Sequence, residues 1–468
     1  MSTIANRRRA VSSGSLVMLL AALPVAESAA AVLPVGPDGT YPNIQVGIAA
    51  ALILGGSNEV RVQSGTYFEH ISFTQTAGSL TVSGGWDSAF AVRSPDPNAT
   101  RINGGANGRP LFATVSGGTL DFSNFSLVGG LATDFGGGLR LAVSGSAYVR
   151  THDLSLLLNS VQAAGADVSY GGAVFARVSN DAAWQFDHNA VLNNTATAVP
   201  AAYGAGLYVQ VLDQGNVIIQ QSRFADNAIT AAGGGGLFSN AAGVGIEMSG
   251  SPQASLVDNV FENNRLNVPA VDAGASGTFV FLDCFDGQTC DLGMHRNRWS
   301  GHLGGLSQVD VDLNDTGAAT LQAVLSNSLI EGGEGDGLVV AGDIDDGRAN
   351  VVNFTIADNT GIGLIALRNS AVSNTISYGN ANGNSSIQGS VLVATNLLSE
   401  FIDPQFADAA AGNYRLRDTS PARDAGTQNP PGGIGLFDLD GAARVNGPLV
   451  DIGAYEFSGI FRDGFEGT

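Results

Sequence analysis

The chain is short of charge and has no lysine at all. Charged residues make up 13% of its 468 residues, and all 21 residues with a fixed positive charge are arginine. Soluble domains usually contain about 25% charged residues. The absence of lysine excludes Schiff-base chemistry and any mechanism that uses a lysine base. The formal net charge of −21 opposes binding to nucleic acid or to anionic lipid, so we expect no nucleic-acid partner.

Cysteine is equally scarce. The chain has two, Cys284 and Cys290, which lie on either side of Gly287. Two thiols with no accompanying pair of histidines make a poor zinc site. In an oxidising compartment, a close pair around a glycine turn is most simply a disulfide. The sequence therefore predicts a disulfide between Cys284 and Cys290 that closes a loop.

Long apolar runs are missing after the first 30 residues. No later stretch approaches about 18 apolar residues, the length that a membrane-spanning helix needs. Residues 1–30 have the order of an export signal, with Arg7–Arg9, an apolar stretch at 16–25 and small residues at 26–30. An N-terminal membrane anchor is the alternative. We predict a signal peptide over 1–30 and an exported chain (periplasmic, cell-surface or secreted) with no transmembrane helix once the signal is removed.

The chain is rich in glycine, with 64 residues, and many of them recur in a repeat. Glycine-containing quartets at 136–139, 171–174, 204–207 and 234–237 begin 35, 33 and 30 positions apart. Turns that contain asparagine, such as 186–189, lie between them. Repetition on this scale indicates one supersecondary unit stacked many times. Because asparagine tolerates left-handed backbone and can stack on itself between coils, we expect these asparagines to be structural.

The region after residue 37 has the features of the start of the repeat. Val46–Leu54 is alanine-rich without strand alternation, which predicts one short helix, and Glu59–Tyr67 then alternates in the form V-x-V-x-x-G-x-Y. This order resembles the opening of pectin-lyase-like proteins. The resemblance implies an all-β fold, a right-handed single-stranded parallel β-helix over 31–400. The helix would cap the first coil, which would otherwise expose apolar core and unpaired strand edges.

Residues 401–457 have a different character. They contain Asp403-Pro404-Gln405-Phe406, the stretch 419–426 and Asp451–Phe457, and together these resemble the C-terminal region of exported bacterial choice-of-anchor Q domain proteins. The resemblance implies a C-terminal cap that covers the last coil. We expect an ion-pair network there, formed by Arg423 and Arg444 with Asp424, Asp440 and Asp451. The tail 458–468 resembles a short ending of exported Gram-negative proteins, either a sorting or processing signal or a frayed terminus.

Two acidic groups are the best candidates for a site. Asp310 and Asp312 would project from the same face of a strand, as would Asp343 and Asp345. The two groups are 33 residues apart, so neighbouring coils could bring them side by side. We predict calcium ligands at Asp310, Asp312, Asp343 and Asp345, and catalytic residues at Asp345, Asp346 and Arg348. The alternative is that these residues form solvated turns of an acidic protein.

Two functions remain open from the sequence. The first is a non-catalytic, monomeric surface or extracellular scaffold that contacts polysaccharide or cell-surface glycan. The second is a polysaccharide lyase of the pectin-lyase-like fold, or a glycoside hydrolase, that acts on acidic polysaccharide with calcium as a cofactor. Polygalacturonase-like chemistry is disfavoured, because Gly301-His302-Leu303 precedes Asp345-Asp346 and the lysine of the last motif is missing. The tryptophans could stack on sugar rings, but we expect them in the core or the caps.

Overall fold

The computed structural model shows a right-handed parallel β-helix. Three long parallel sheets run along the molecule, and each coil passes through sheet C, sheet A and sheet B in turn. Such parallel crossovers are almost always right-handed. The structure describes residues 30–163, 168–232, 238–343, 348–367, 369–389 and 391–458. The predicted signal peptide, except Ala30, and the predicted tail, except Ser458, lie outside these residues.

The strands have the following bounds. Sheet A contains thirteen strands: Ala31–Val35, Ser57–Gln63, Ser79–Trp86, Thr119–Ser123, Tyr148–His152, Ala183–Asp187, Asn216–Gln220, Gln253–Val257, Thr289–His295, Thr320–Ser326, Arg348–Val352, Ser370–Ser373 and Leu392–Ala394. Sheet B contains eleven: Gly65–Tyr67, Thr100–Asn103, Ser126–Val128, Ser155–Leu157, Ala190–Leu192, Arg223–Ala225, Val260–Glu262, Arg298–Ser300, Leu329–Glu331, Thr355–Ala357 and Ile376–Tyr378. Sheet C contains eleven: Ile71–Gln75, Leu111–Val115, Leu139–Val143, Val174–Val178, Leu207–Asp213, Val244–Gly250, Ala275–Cys284, Ser307–Asp315, Asp336–Ala341, Leu364–Leu367 and Ser385–Gln388.

Shorter elements lie beside these three sheets. Sheet D is a five-stranded parallel sheet after sheet B, formed by Leu131–Ala132, Ser160–Gln162, Thr195–Ala198, Ala228–Ala231 and Arg265–Asn267. Ser169–Tyr170 pairs with Ala202–Tyr203 in parallel, and Phe406–Asp408 pairs with Asn413–Leu416 in an antiparallel arrangement. Three single turns of 3-10 helix are Pro97–Ala99, Ala270–Asp272 and Ala409–Ala411.

The core consists of aliphatic rows that run along the axis of the coil. Along Leu139–Val143 alternate side chains point inward, and Val174–Val178 continues the same rows in register. This follows from the two-residue period of a strand combined with parallel pairing of equivalent residues. Trp184 and Trp299 lie in this core at 1% and 0% exposure, as expected, whereas Trp86 is partly exposed.

The predicted helix is present and covers the first coil. It spans Ile44–Leu54, two residues earlier than the sequence indicated, and the side chain of Asn43 accepts a hydrogen bond from the amide of Val46. Glu69 accepts two further bonds, from the amides of Ile44 and Gln45, at 2.9 Å each. These acceptors satisfy amides that have no partner inside the helix. Within the described ranges, no helix is long and apolar enough to cross a membrane.

Asparagines occupy the corner that follows sheet B, in what we call the corner ladder: Asn159, Asn194, Asn227 and Asn264. The side-chain oxygen of each of the last three accepts a bond from the amide of the asparagine one coil earlier, at 2.9–3.1 Å. His302 ends the row, because its Nδ1 accepts from the amide of Asn264 at 3.0 Å. The corner between sheets A and B repeats the pattern with Asn189, Ser222, Asn259, Asn297 and Ser328. Both rows confirm that the asparagines are structural.

Residues 401–457, the C-terminal segment, pack against the side of the last coils. Asn327 and Asn353 donate to the carbonyl of Ile434, at 2.9 and 3.2 Å, and Asn374 donates to that of Thr427 at 2.8 Å. The segment therefore lies along the flank of sheet B, where these corner amides need acceptors, instead of across the last coil as we expected. The final strand, Leu392–Ala394, stays exposed.

Ion pairs within the C-terminal segment differ in part from those predicted. Arg423 pairs with Asp424 at 3.7 Å, as expected. Asp440 pairs with Arg415 at 2.6 Å, and Arg444 pairs with Glu456 at 3.3 Å. The carboxylate of Asp451 instead accepts from the backbone amides of Asp424 and Phe457, both at 2.6 Å.

The predicted disulfide is formed. Cys284 ends a strand of sheet C, Cys290 lies at the start of a strand of sheet A, and their Cα atoms are 6.1 Å apart. The bond therefore closes the turn between the two sheets. A closed turn of this kind reduces the conformational freedom of the unfolded chain, which is one way in which disulfides stabilise a fold.

Candidate functional site

Asp310 and Asp312 lie on the outer face of sheet C. They alternate with inward-pointing valines along Ser307–Asp315, so both project outward, as the sequence predicted. In register, Asp310 lies between Phe279 and Val339 of the neighbouring strands, and Asp312 between Phe281 and Ala341. Apolar neighbours on both sides leave these carboxyl groups poorly hydrated.

Of the other predicted site residues, Asp343 and Arg348 lie within the described part of the structure. Asp343 follows the end of Asp336–Ala341, where its amide donates to the side chain of Asn314 at 3.0 Å. Arg348 begins a strand of sheet A beside Gln322, and not a strand of sheet C. Asp345 and Asp346 lie outside the described residues. The structure thus places Asp310 and Asp312 together on sheet C, and it places Arg348 on sheet A.

Two acids that the sequence did not single out accompany that group. We call Asp283, Asp310, Asp312 and Asp336 the acidic strip. Burial raises the pKa of Asp310 to about 7, with further contributions from the charges of Asp312 and Asp336. Burial also raises the pKa values of Asp312, Asp336 and Asp283. The strip therefore combines carboxyl groups that differ in how readily they ionise.

Within the residues that the structure describes, no group of three or more histidine, cysteine, aspartate or glutamate side chains has the arrangement of a metal site. Asp345, one of the predicted calcium ligands, lies outside those residues. Calcium needs about six to eight oxygen ligands, so Asp310 and Asp312 alone do not make a site. Calcium binding here stays a prediction.

An aromatic stack lies beside the outer face of sheet C, in earlier coils. It consists of Phe135, Tyr170 and Tyr203, each partly exposed. The ring centroids of Phe135 and Tyr170 are 5.7 Å apart, and those of Tyr170 and Tyr203 are 5.3 Å apart with an interplanar angle of 13°. The rings therefore follow one another along the axis of the coil, and each remains partly exposed.

The glycine repeat explains how the stack forms. Gly136, Gly171 and Gly204 each directly follow a ring of the stack and have φ values of +62°, +70° and +62°. A Cβ at Gly171 would lie 2.2 Å from the carbonyl oxygen of Val174, so only glycine fits this turn. The turn folds each aromatic residue back toward the strand that follows. The sequence signal, an aromatic residue before three of the four glycine quartets, was present but was not recognised.

Tyr208 and Glu247 connect the stack to the outer face of sheet C. The ring of Tyr208 lies 5.9 Å from that of Tyr203, and its hydroxyl donates to Glu247 Oε2 at 3.0 Å. Gln210 donates to the same oxygen at 2.9 Å. Burial raises the pKa of Tyr208, so it remains a donor at ordinary pH. In the described structure, the second carboxylate oxygen of Glu247 has no protein donor and is available to a ligand.

Two arginines border the other end of the stack. Arg109 and Arg140 both bind the carboxylate of Asp134, at 2.5 and 2.6 Å. The guanidinium of Arg140 also lies over the ring of Phe135, 5.1 Å from its centroid, and over that of Phe112, at 5.0 Å. Cation–π contacts and a shared carboxylate hold these side chains in place. The face thus offers partly exposed aromatic side chains together with fixed donors and acceptors.

Comparison with known proteins finds structural similarity and no sequence relative. No protein-family model matches the chain, and no curated protein matches it. Among solved structures, the crystal structure of pectate lyase Pel9A is similar, with a TM-score of 0.44 and 14% sequence identity over 92% of this chain and 97% of that chain. The fold assignment rests on the parallel sheets described above. The resemblance of 401–457 to choice-of-anchor Q domain proteins stays a prediction.

Proposed function

We propose that this chain is an exported, non-catalytic protein that binds an uncharged polysaccharide along the outer face of sheet C. The observation that carries the proposal is the position of the aromatic stack beside Tyr208, Gln210 and Glu247. Aromatic surface with a few fixed polar groups is the usual composition of small-molecule and sugar sites. An exported location is supported by the disulfide, which persists in oxidising compartments.

Charge supports the choice of an uncharged ligand. The formal net charge of the chain is −21, and the acidic strip lies on the same face as Glu247. A polyanion would meet repulsion from both. Sugar hydroxyls carry no such penalty, and they can donate to the available oxygen of Glu247.

The shape of the face supports an extended ligand. Neighbouring strands of a sheet lie about 4.8 Å apart, so residues at equivalent positions form rows along the coil axis. The rings of Phe135, Tyr170 and Tyr203 come from three successive coils. A polysaccharide that follows the axis can contact several coils at once, and weak contacts then add up along the chain.

Affinity electrophoresis of the full chain in gels that contain neutral polysaccharides tests this proposal. The wild type is expected to be retarded by at least one neutral polymer, and Tyr170→Ala with Tyr203→Ala to lose about 10-fold or more in affinity. Tyr148→Ala is the matched control, because Tyr148 is an exposed tyrosine on sheet A, 41% accessible. Equal retardation of both variants, or none for the wild type, would rule the proposal out.

The second candidate is an enzyme that cleaves acidic polysaccharide, in which calcium would offset the repulsion between the acidic strip and the polyanion, and the carboxyl groups of the strip are the observation that favours it. A carboxyl group with a pKa of about 7, such as Asp310, can donate a proton near neutral pH while an ionised neighbour accepts one. Reducing ends and unsaturated uronate products, measured with and without calcium, test this candidate. Activity that disappears in Asp310→Asn would favour it over simple binding.

A further inference from the structure

A cleft opens between sheet B and the C-terminal segment. It measures about 410 Å³, and its walls include Tyr378 and Phe406. The centroids of these two rings are 6.4 Å apart with an interplanar angle of 73°. This volume lies within the range of about 300–1,000 Å³ that is typical of ligand pockets. The cleft is on a different flank from the outer face of sheet C.

Two carboxylates in the cleft are each held through one oxygen. Asp358 Oδ2 accepts a bond of 2.7 Å from the hydroxyl of Tyr414, and Asp403 Oδ1 accepts a bond of 2.8 Å from the amide of Gln405. Burial raises the pKa of Tyr414, which keeps it a donor. The second oxygen of each carboxylate has no protein donor in the described structure. Both acceptors are thus oriented before a ligand arrives.

Two donors in the cleft are arranged in the same way. Gln405 Oε1 accepts a bond of 2.5 Å from the hydroxyl of Thr419, which leaves its side-chain amide nitrogen available. Arg417 Nη2 donates to the carbonyl of Ala407 at 2.9 Å, and within the described ranges the guanidinium forms no ion pair.

We propose that this cleft binds a single neutral sugar unit, independently of any polysaccharide on the outer face of sheet C. Two acceptors and two donors match hydroxyl groups, which both donate and accept, and the aromatic walls match the apolar face of a sugar ring. Asp358, Asp403 and Arg417 leave the cleft with a formal charge of −1, which disfavours anionic sugars. Because each polar group is already oriented, little side-chain entropy is lost on binding.

Isothermal titration calorimetry of the full chain with methyl glycosides of neutral hexoses tests this assignment. At least one glycoside is expected to bind at millimolar concentration. Arg417→Ala and Asp403→Ala are each expected to weaken binding about 3- to 10-fold, the usual effect of one lost hydrogen bond. Both residues are exposed, so an unchanged thermal midpoint is expected to show that the variants fold.

Two controls make the result specific. Asp418→Ala removes an exposed carboxylate that does not line the cleft, and it should bind like the wild type. Tyr203→Ala should also leave glycoside binding intact, even though we expect it to weaken polysaccharide binding on sheet C. The assignment is overturned if no glycoside binds, if Arg417→Ala and Asp403→Ala bind like the wild type, or if free amino acids bind in place of glycosides.

Discussion

Two regions of the molecule repeat once per coil, the corner ladder after sheet B and the outer face of sheet C. They differ in whether the same residue type recurs at equivalent positions of successive coils. At the corner, four successive coils keep asparagine, and the backbone amide and the side-chain Nδ2 of each of the first three both donate to Oδ1 of the next. On the outer face, one row reads Phe175, Tyr208, Gly245, Phe279 and Asp310. The backbone repeats from coil to coil in both regions, but only the corner requires one residue type.

The difference follows from burial. Asn194, Asn227 and Asn264 are fully buried, so every amide group must find a partner inside the protein. On the outer face, Phe175, Gly245 and Phe279 carry no polar side-chain group, so a change of residue there leaves no buried polar side chain without a partner, even where the row is covered, as at Phe175 with 7% exposure. Substitutions in the two regions should therefore have different effects: those at the corner should lower stability, and those on the outer face of sheet C should lower polysaccharide affinity.

The largest effect is expected from Asn227→Ala. It removes two bonds to Asn227 Oδ1 from Asn194, both at 3.0 Å, and two bonds that Asn227 Nδ2 donates to Val191 and Asn264. The free energy of unfolding should fall by about 3 kcal/mol, because buried polar groups lose their partners. Urea unfolding measures the change. Asn216→Ala, at a partly exposed asparagine of sheet A, should change it by less than about 0.5 kcal/mol.

Gly171→Ala should have the next largest effect, and it should lower both the stability of the fold and the affinity for polysaccharide. The left-handed backbone and the close approach to Val174 make alanine costly, by about 2 kcal/mol. Because Gly171 positions Tyr170, polysaccharide affinity should fall as well. Gly433→Ala is the matched control, since Gly433 has a φ of +75° but open space around it. If the two variants are equally stable, the close approach contributes nothing.

The fold could be predicted because its signals are local. The spacing of the glycine quartets indicated the coil, asparagine at the turns indicated the corner ladder, and the short Cys284–Cys290 spacing indicated the disulfide. Each depends on residues that are close in sequence or that repeat. The N-terminal helix was predicted for the same reason, and its start was displaced by only two residues.

The candidate site could not be predicted in the same way, because it depends on the register between coils of unequal length. Asp310 pairs with Val339, and not with Asp343 as the 33-residue spacing suggested. Asp336 joins the acidic strip for the same reason, because the register between these coils pairs it with Ser307. The aromatic stack had a sequence signal, but its position beside Glu247 follows only from the pairing of Tyr208 with its neighbours. Turn lengths determine these pairings, and they vary from coil to coil.

A smaller effect is expected from pH, through Asp310. Because burial raises its pKa in the folded protein to about 7, while an unfolded aspartate ionises near pH 4, folding favours the protonated form. This contribution is complete below about pH 4 and is lost as the pH rises through about 7. The wild type should therefore be less stable at about pH 8 than at about pH 5, and Asp310→Asn should reduce that difference in the free energy of unfolding by on the order of 1 kcal/mol.

Urea unfolding at both pH values measures this change, and Asp418→Asn should leave the difference as it is in the wild type. Part of the pH dependence should survive in Asp310→Asn. Glu456 in the C-terminal segment also has a pKa raised by burial to about 7, and it contributes with the same sign. An Asp310→Asn profile that overlays the wild type would show that Asp310 is hydrated like an ordinary surface aspartate.

The smallest effect is expected from Arg348→Ala. Arg348 is exposed and begins a strand of sheet A, whereas the acidic strip lies on sheet C. Neither the free energy of unfolding, within about 0.5 kcal/mol, nor polysaccharide affinity should change. Arg140→Ala, on the outer face of sheet C, should lower affinity, because its guanidinium contacts both Phe112 and Phe135. If Arg348→Ala instead abolished cleavage of an acidic polysaccharide that the wild type degrades, the chemistry would lie between sheets A and C, and the outer face of sheet C would be only part of the site.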